Sequence, residues 1–450
     1  MSLVNFDTRP GRRTSSAPLA IDCEICVVGS GAAGISAALE AARLGKSVVL
    51  VEGQAAIGGQ AAASLIGVFC GFYSNGNVKS PSHQLTYGLA DEMLRSLLAS
   101  GGAYRFAFDN TVLVRYDEVG YARWAEEAVR ESSVRPLLGA VLRGAVFEER
   151  RLRTLEVATR YGDILVRAEG FVDASGDAVL AWYAGLPVQE PVQQVFGTQM
   201  FILEGADENA VRTIDPVEIK ARLKAEGERY GLVRHDGQLF TFPGRGAVTV
   251  NMTHIPTSLD PIEMSRAVLE GRAQADRLLA FLKDQFPNAM SGARVRAYGL
   301  PGIRQTRWIE GVKHLTADEV RRGERFPDAI ARSSWPIELH NTEAQIHWEK
   351  FDDRHIHYIP LGCMMSAAAD NYIAAGRCVD GDVGALASIR VIGPCMAMGA
   401  AAAHALDLAG SGPIHQIDIS ALQERLHDNL IRCDVPTMAG ETNPSAIDAG

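Results

Sequence analysis

Residues 24–53 carry the feature that narrows the possible folds most. An apolar run, Ile25 to Val28, breaks into Gly29-Ser30-Gly31-Ala32-Ala33-Gly34; an Ala-rich stretch follows, and a second apolar run, Val48 to Val51, ends in Glu52. Strand, glycine turn, helix, strand and acid in this order form the layout of a dinucleotide-binding βαβ unit. Gly29 permits the tight turn, Gly31 lets backbone approach a pyrophosphate, and Gly34 lets helix and strand pack closely. Ser30 and Ala33 complete that turn. The N-terminus of the helix offers unpaired N–H groups and the positive end of its dipole to the phosphates. Glu52, 18 residues after Gly34, can accept hydrogen bonds from a ribose diol. The competing reading is a glycine-rich turn of another α/β fold; the flanking strands and the acid favour the dinucleotide.

Three further segments refine this. Gly53-Gln-Ala-Ala-Ile-Gly58-Gly59-Gln60 puts a flexible pair just past the acid, as suits a loop passing a second part of a cofactor. Gly170-Phe-Val-Asp173-Ala174-Ser175-Gly176-Asp177 is another apolar strand ending in small residues. Asn371-Tyr-Ile-Ala-Ala-Gly376-Arg377 leads through Gly381-Asp382 to Ala387-Ser388-Ile-Arg390-Val-Ile-Gly393-Pro394-Cys395-Met396, where a long Ala-rich helix opens with Pro394 in its first turn. Together these blocks resemble the FAD-dependent oxidoreductases of the glutathione-reductase-like fold, in the branch whose C-terminal half reads AGR, then ALASIRV and CMA. Residues 24–75, 165–185, 299–335 and 355–410 carry the likeness, and a more distant one to the fumarate reductase and succinate dehydrogenase flavoproteins.

The resemblance implies an α/β fold: a glutathione-reductase-type, Rossmann-like FAD-binding domain, three-layered on a parallel sheet, with an inserted α+β substrate domain on an antiparallel sheet. The expected division is a disordered leader at 1–20, a discontinuous FAD domain at 21–185 and 351–412 with a helical insertion near 76–135, a substrate domain at 186–350, and a C-terminal helix and flexible tail at 413–450. In the substrate domain, Val195 to Leu203, Leu239 to Phe242, Ala247 to Met252 and Arg294 to Tyr298 read as short strands. Between them Asp260 caps a helix that begins at Pro261, Glu263 completes a capping box, and Met264, Val268, Ala275, Leu278, Leu279, Leu282 and Phe286 mark one apolar face. The first insertion should carry helices at Gln84 to Leu98 and Glu118 to Glu131.

The 450 residues, 47% of them hydrophobic, can bury a large core. A net charge of −10 argues against a nucleic-acid partner. No apolar run reaches the roughly eighteen residues of a membrane helix, and Arg12-Arg13 is followed by no apolar core. Seven cysteines, an odd count, suggest reduced thiols and a cytoplasmic home. Cys23-x-x-Cys26 lies in the first strand, where positions three apart face opposite ways, so neither a redox pair nor a metal site is expected. Cys70 and Cys395 fall in segments that should approach the flavin. The alternatives there are a covalent flavin link, through one of them or His83, and small buried thiols.

In such a flavoprotein the isoalloxazine does the redox work while the protein supplies orientation and charge. The resemblance places Val141 against the adenine, Ala174, Ser175, Gly176 and Arg377 beside the cofactor, Asp382 on the ribityl chain, and Ser388 near it. The turn Gly393-Pro394-Cys395 would aim N–H groups at the reduced ring, with Arg390 adding charge or serving as a structural arginine. On a strand, Arg304 and Arg307 cannot point the same way. Arg304 is chosen as a fork for a substrate carboxylate or polarised carbonyl, against an interdomain ion pair. His340, His347, His355 and His357 form a local excess, four of eleven histidines. Without ligand spacing they read as a source of one general base rather than a metal site, with His355 and His357 sharing one strand face. Tyr73 reaches the ring face or simply packs.

The leading function is an oxidase or dehydrogenase that moves hydride from a C–H or C–N bond of a small polar metabolite to flavin N5. The reoxidant would be O2, a quinone or a partner protein, and a homodimer is the family expectation. The alternative is a single-component flavin monooxygenase using NAD(P)H and O2. A third reading is an RNA-acting or purely electron-transferring flavoprotein: net charge argues against RNA, and the lack of an iron–sulfur cysteine set means that any electron partner would be another chain.

Overall fold

The computed structural model describes residues 18–436. The first strand begins at Leu19, so residues 19 and 20, expected in the leader, belong to a sheet. The rest of the leader, and the tail expected from Thr437, lie outside the described residues.

The fold is mixed α/β, Rossmann-like at its centre. Strand Leu19–Val28 lies between Val48–Glu52 and Gly162–Asp173, parallel to both, and Arg135–Leu138 extends the sheet beyond Val48–Glu52. Strand Gly162–Asp173 then divides its other edge. Its last residues pair in parallel with Tyr372–Ala374, and its earlier part pairs antiparallel with Arg151–Thr159, which pairs with Ala140–Glu148. Chain segments 200 residues apart thus meet at one strand end, beside the first glycine turn. Central strands such as Val48–Glu52 are buried along their whole length, as two-sided burial requires of parallel strands.

The helix Ala32–Arg43 packs on the Ala-rich helix Ile392–Ala409 so closely that a Cβ on Gly399 would stand 2.1 Å from the Ala33 carbonyl. Ser36 Oγ donates to the Met396 carbonyl across the contact. Ile392–Ala409 is long and apolar enough to cross a membrane by length and composition, and 72% of it is buried inside the fold.

A second sheet, in the order Gln238–Thr241, Ala247–Asn251, Phe201–Glu204, Arg294–Tyr298, is antiparallel throughout. The 25-residue helix Pro261–Gln285 covers it, and Phe201, Leu203, Val250, Leu278, Phe281 and Leu282 form a core distinct from the main one. The Asp260 carboxylate caps that helix, accepting from the N–H groups of Ile262 and Glu263. The Glu263 carboxylate accepts from Ser258 Oγ rather than closing a capping box.

Three further expectations change. The helix expected from Gln84 begins at Leu89, because Gln84 bridges to Tyr73 and Gly88 adopts a positive φ. The insertion near 76–135 is not wholly helical: Ala103–Phe108 and Thr111–Tyr116 form a hairpin, joined by Val68–Phe69. The C-terminal helix is two short ones, Ile419–Arg425 and His427–Ile431.

Candidate functional site

A cleft of about 440 Å3 opens where the parallel strands end. Its floor is backbone. Gly29, at φ +97°, has no room for a side chain, since a Cβ would lie 2.4 Å from the Ala174 carbonyl. Gly34 sits behind the turn, where a Cβ would meet the Gly29 carbonyl at 1.8 Å. Gly31 differs: a Cβ there would meet nothing within 4 Å. Gly31 lines the cleft, so its missing side chain leaves room for a ligand rather than for neighbouring protein. Gly59, at φ +52°, presses on Gly31, its would-be Cβ 2.6 Å from the Gly31 Cα.

Glu52 is buried at the cleft wall. Its Oε2 accepts from the N–H and Oγ of Ser30, at 2.8 and 2.6 Å, and its Oε1 accepts from the Gln54 N–H at 2.8 Å. These bonds fix the carboxylate and leave it acceptor capacity for a diol. Ala33, Gly53 and Gln60 line the same end, and Val141, 57% exposed, lines it from the antiparallel strand. Ala174, Ser175 and Gly176 form the facing wall, steadied by the buried Asp173 carboxylate. That carboxylate accepts from Ser175 Oγ, from the N–H groups of Leu180 and Ala181, and from Tyr372 Oη.

Beyond Gly176 the wall turns cationic. Arg377 lies 3.6 Å from Asp177, and its Nη1 is buried without a partner among the described residues. At the wall of a cleft, such an orphaned charged donor suits an acceptor that a bound ligand supplies. A floor of glycines, a fixed ribose acid and a buried unpaired guanidinium N–H together fit a dinucleotide such as FAD. Ile392, Cys395 and Arg390 close this end. Burial raises the Cys395 thiol to about 12 against the pull of Arg377 and Arg390, and its Sγ donates to the Arg390 carbonyl.

Several expected residues stand elsewhere. Asp382 is a double cap, its Oδ1 accepting from the Ala385 N–H and its Oδ2 from the Ala317 N–H, so both oxygens serve helix starts. Ser388 Oγ is bonded to the Trp335 carbonyl and to His357. Gly393 donates its N–H to the Cys70 carbonyl, Pro394 has none, and the Cys395 N–H bonds to the Val391 carbonyl. That turn therefore offers the cleft the Ile392 end rather than three N–H groups. Tyr73 is buried with its hydroxyl accepting from Arg105 Nε. His357 is buried with one ring nitrogen on His355 and the other on Ser388. Neither Tyr73 nor the His355–His357 pair lines the cleft. Residues 303–307 are loop rather than strand, and Arg307 lies over the Trp182 ring at 4.4 Å.

Arg304 instead joins a cluster next to Arg390. Its Nη1 donates to the Phe196 carbonyl at 2.8 Å, and among the described residues no carboxylate lies at ion-pair distance from it. Burial, then Arg390, lowers its pKa, and a negative charge on Glu338 would oppose that shift. Arg390 Nη2 donates to the Glu338 carbonyl at 3.1 Å, linking cleft to cluster. Arg234 is paired with Asp236 at 2.6 Å. His254 and His340 touch at 2.9 Å, and His340 meets Glu338 at 2.9 Å. Burial, with Arg234 and Arg304, lowers His254 to about 2; burial and Arg304 lower His340 as well. Of the four histidines in the local excess, only His340 enters this cluster.

Arg234, Asp236, His254 and Glu338 were not foreseen. Glu338 had a usable signal, standing two residues before His340 and so on the same side of an extended segment. The others come from loops whose meeting no local pattern announces.

Residues 24–426 match the protein family described as FAD dependent oxidoreductase. No curated protein matches the chain. Among solved structures, it is similar to a geranylgeranyl bacteriochlorophyll reductase-like protein from Thermoplasma acidophilum, at 13% identity over 91% of this chain and 86% of that one, TM-score 0.45. It is also similar to p-nitrophenol 4-monooxygenase from Pseudomonas putida DLL-E4, at 12% identity over 92% and 82%, TM-score 0.40. The flavin-dependent brominase Bmp2 is similar at 12% identity over 91% and 83%, TM-score 0.45.

Proposed function

Because this chain belongs to the FAD-dependent oxidoreductase family and is thus an enzyme with FAD as its cofactor, we propose that it is an oxidase or dehydrogenase acting on a small polar metabolite. The bond oxidised is a C–H or C–N bond whose hydride passes to the flavin. FAD, when bound, supplies the hydride acceptor. Gly31, Gly59 and Arg377 would hold its diphosphate, Glu52 its ribose, and Val141 its adenine. Arg390, at the far end of the same cleft, would steady negative charge that grows on the ring.

The observation that carries this reading is the junction at Arg390, which lines the cofactor cleft and also bonds the Glu338 segment of the buried arginine–histidine cluster. A polar substrate placed there would be ordered by fixed charges in surroundings of reduced water access, where such charges act strongly. Reoxidation falls to an acceptor outside the chain: dioxygen, a quinone or another protein.

An anaerobic screen of small hydroxy and amino metabolites, followed by flavin absorbance at 450 nm, tests the proposal. Bleaching by one compound class, with none by NADPH alone, supports it. Rapid bleaching by NADPH alone would reject it in favour of a monooxygenase.

A further inference from the structure

The hydrogen-bonded line from Glu343 to Trp335 fixes where protons sit, and with them the charge of the cluster. His254 Nδ1 lies 2.8 Å from the Glu343 carbonyl. A carbonyl can only accept, so that nitrogen carries the hydrogen. His254 is held neutral, which leaves its Nε2 as a bare lone pair. His340 Nδ1, 2.9 Å away, must then be the donor to it. What remains is His340 Nε2 facing Glu338 Oε1 at 2.9 Å. Two lone pairs do not approach to that distance, so one proton lies between them. Either His340 is neutral and Glu338 protonated, or His340 is an imidazolium and Glu338 a carboxylate. Both assignments give the Glu338–His340 pair zero net charge. Trp335 Nε1–H, donating to Glu338 Oε2 at 3.2 Å, occupies the other oxygen.

The charge balance follows. Arg234 is offset by Asp236, whose other oxygen accepts from the Ile346 N–H. Glu338 is offset by the proton it shares with His340. Arg304 and Arg390 are left, both half-buried, and among the described residues their side chains bond only to backbone carbonyls, those of Phe196 and Glu338. Two guanidinium groups withdrawn from water without a carboxylate partner are costly unless a ligand supplies the negative charge. A ligand with only a carbonyl would leave that charge unbalanced.

We propose that Arg304, beside Arg390, forms a binding subsite for a carboxylate, so that the small polar substrate is a carboxylic acid anion. Arg304 presents the planar fork: Nη1 stays on Phe196, and Nε and Nη2, which meet no acceptor among the described residues, can take a carboxylate. His254 and His340 are positioning residues: their fixed tautomers keep Glu338 from acting as counter-ion to Arg304. The inference rests on the functional reading above but concerns binding, so the two can fail separately.

The test uses the FAD-loaded enzyme without oxygen, following the perturbation of the flavin spectrum and the rise in melting temperature on titration. The probes are acetate, glycolate and malonate, and their primary amides. The anions should bind about tenfold or more tighter than the amides, and Arg304→Gln should remove about tenfold or more of that affinity. Glu338→Gln should change anion affinity by less than about threefold, since the pair already carries no net charge. Should Arg304→Gln lose FAD or fold poorly, the comparison of anions with amides on the unmodified enzyme still decides. Equal binding of anions and amides would overturn the proposal, and so would a tightening of about tenfold or more in Glu338→Gln, the mark of an ionised Glu338 opposing the ligand. If anions bind as described but no compound bleaches the flavin, the hydride-transfer reading fails and the subsite stands.

Discussion

In the cleft, many of the groups that face a ligand are backbone: Gly29, Gly31, Gly59 and Gly176 leave main chain bare, and the acid Glu52 is clamped by Ser30. In the cluster beyond Arg390, they are side chains drawn from Arg234, His254, Arg304, Glu338, His340 and Arg390, held by one another's charge and hydrogen bonds. The first kind of site tolerates changes of charge but not of shape. The second tolerates modest changes of shape but not of proton count. A methyl group should therefore damage the cleft most, and pH should matter most to the cluster.

The largest effect should come from Gly34→Ala. The new Cβ would stand 1.8 Å from the Gly29 carbonyl, with the Ala174 Cβ at 3.2 Å, so the helix Ala32–Arg43 must move off its strand. A stability loss on the order of 3 kcal/mol or more, with failure to retain FAD, is expected from unfolding curves and flavin content. A variant that unfolds like the parent and stays yellow would show the turn to be far more plastic than this geometry allows.

Gly31→Ala sharpens the contrast three residues away. Its φ is −70° and a Cβ would meet no protein atom within 4 Å. The FAD-free protein should therefore melt within about 2 °C of the parent, a change of a few tenths of a kcal/mol. FAD affinity should fall about tenfold or more, because the methyl group occupies the approach to the pyrophosphate. Equal loss of apo stability in the two variants would erase the distinction between a glycine needed by the fold and one needed by the ligand.

Why was one region legible in sequence and the other not? The glycine turn, Glu52 and Gly59 lie in one short segment whose spacing follows from local backbone geometry, whereas Ala174 to Gly176 and Arg377 are placed by likeness to relatives and line the cleft. The first pattern survives without knowledge of the fold. The hairpin Ala103–Phe108 and Thr111–Tyr116 was equally local, with alternating aromatics and an Asp109-Asn110 turn that puts Asp109 at φ +52°. Its signal was present but unread. Asp382 and Ser388 rest on likeness to segments of relatives, and Tyr73 on its place after the Gly58-Gly59 loop. In this chain their polar atoms are occupied by helix starts, by a carbonyl and histidine, and by Arg105. The cluster depends on loops near 196, 234, 254 and 304 converging, which no sequence period records.

Acid should reach the cluster before it reaches the cleft. His254 goes from an ordinary value of 6.5 to about 2 in the fold. A lowered histidine binds its proton in the unfolded chain first, so its contribution is present above pH 6.5 and is lost as pH falls through that value toward 2. The slope approaches about 1.4 kcal/mol per pH unit for each such histidine. Urea unfolding between pH 7 and 5 should show stability falling toward acid, and more shallowly in His254→Gln, by up to one proton. Parallel pH profiles for the two proteins would mean that His254 is already charged in the fold, and the tautomer chain to Glu338 would lose its first link.

The smallest effect is expected where sequence placed a candidate base but the fold does not bring it to the cleft. His355 lies half-buried, its Nε2 3.1 Å from His357 Nδ1 and its ring stacked on Phe351 at 3.9 Å. His357 passes the line on to Ser388, whose hydroxyl ends at the Trp335 carbonyl. That carbonyl belongs to the residue whose indole holds Glu338, so the two histidine lines approach each other through Trp335 but are not joined by a titrating group. His355→Gln keeps a hydrogen-bonding group toward His357 and loses the ring stacking, a cost of about 1 kcal/mol or less. Flavin content should be unchanged, and kcat and KM should stay within about twofold of the parent, because among the described residues the hydrogen bonds from His355 run through His357 and Ser388 to the Trp335 carbonyl rather than into the cleft. A tenfold fall in kcat with KM and flavin content intact would place His355 back in the chemistry and would require that the strand His357–Pro360 move toward the cleft during turnover.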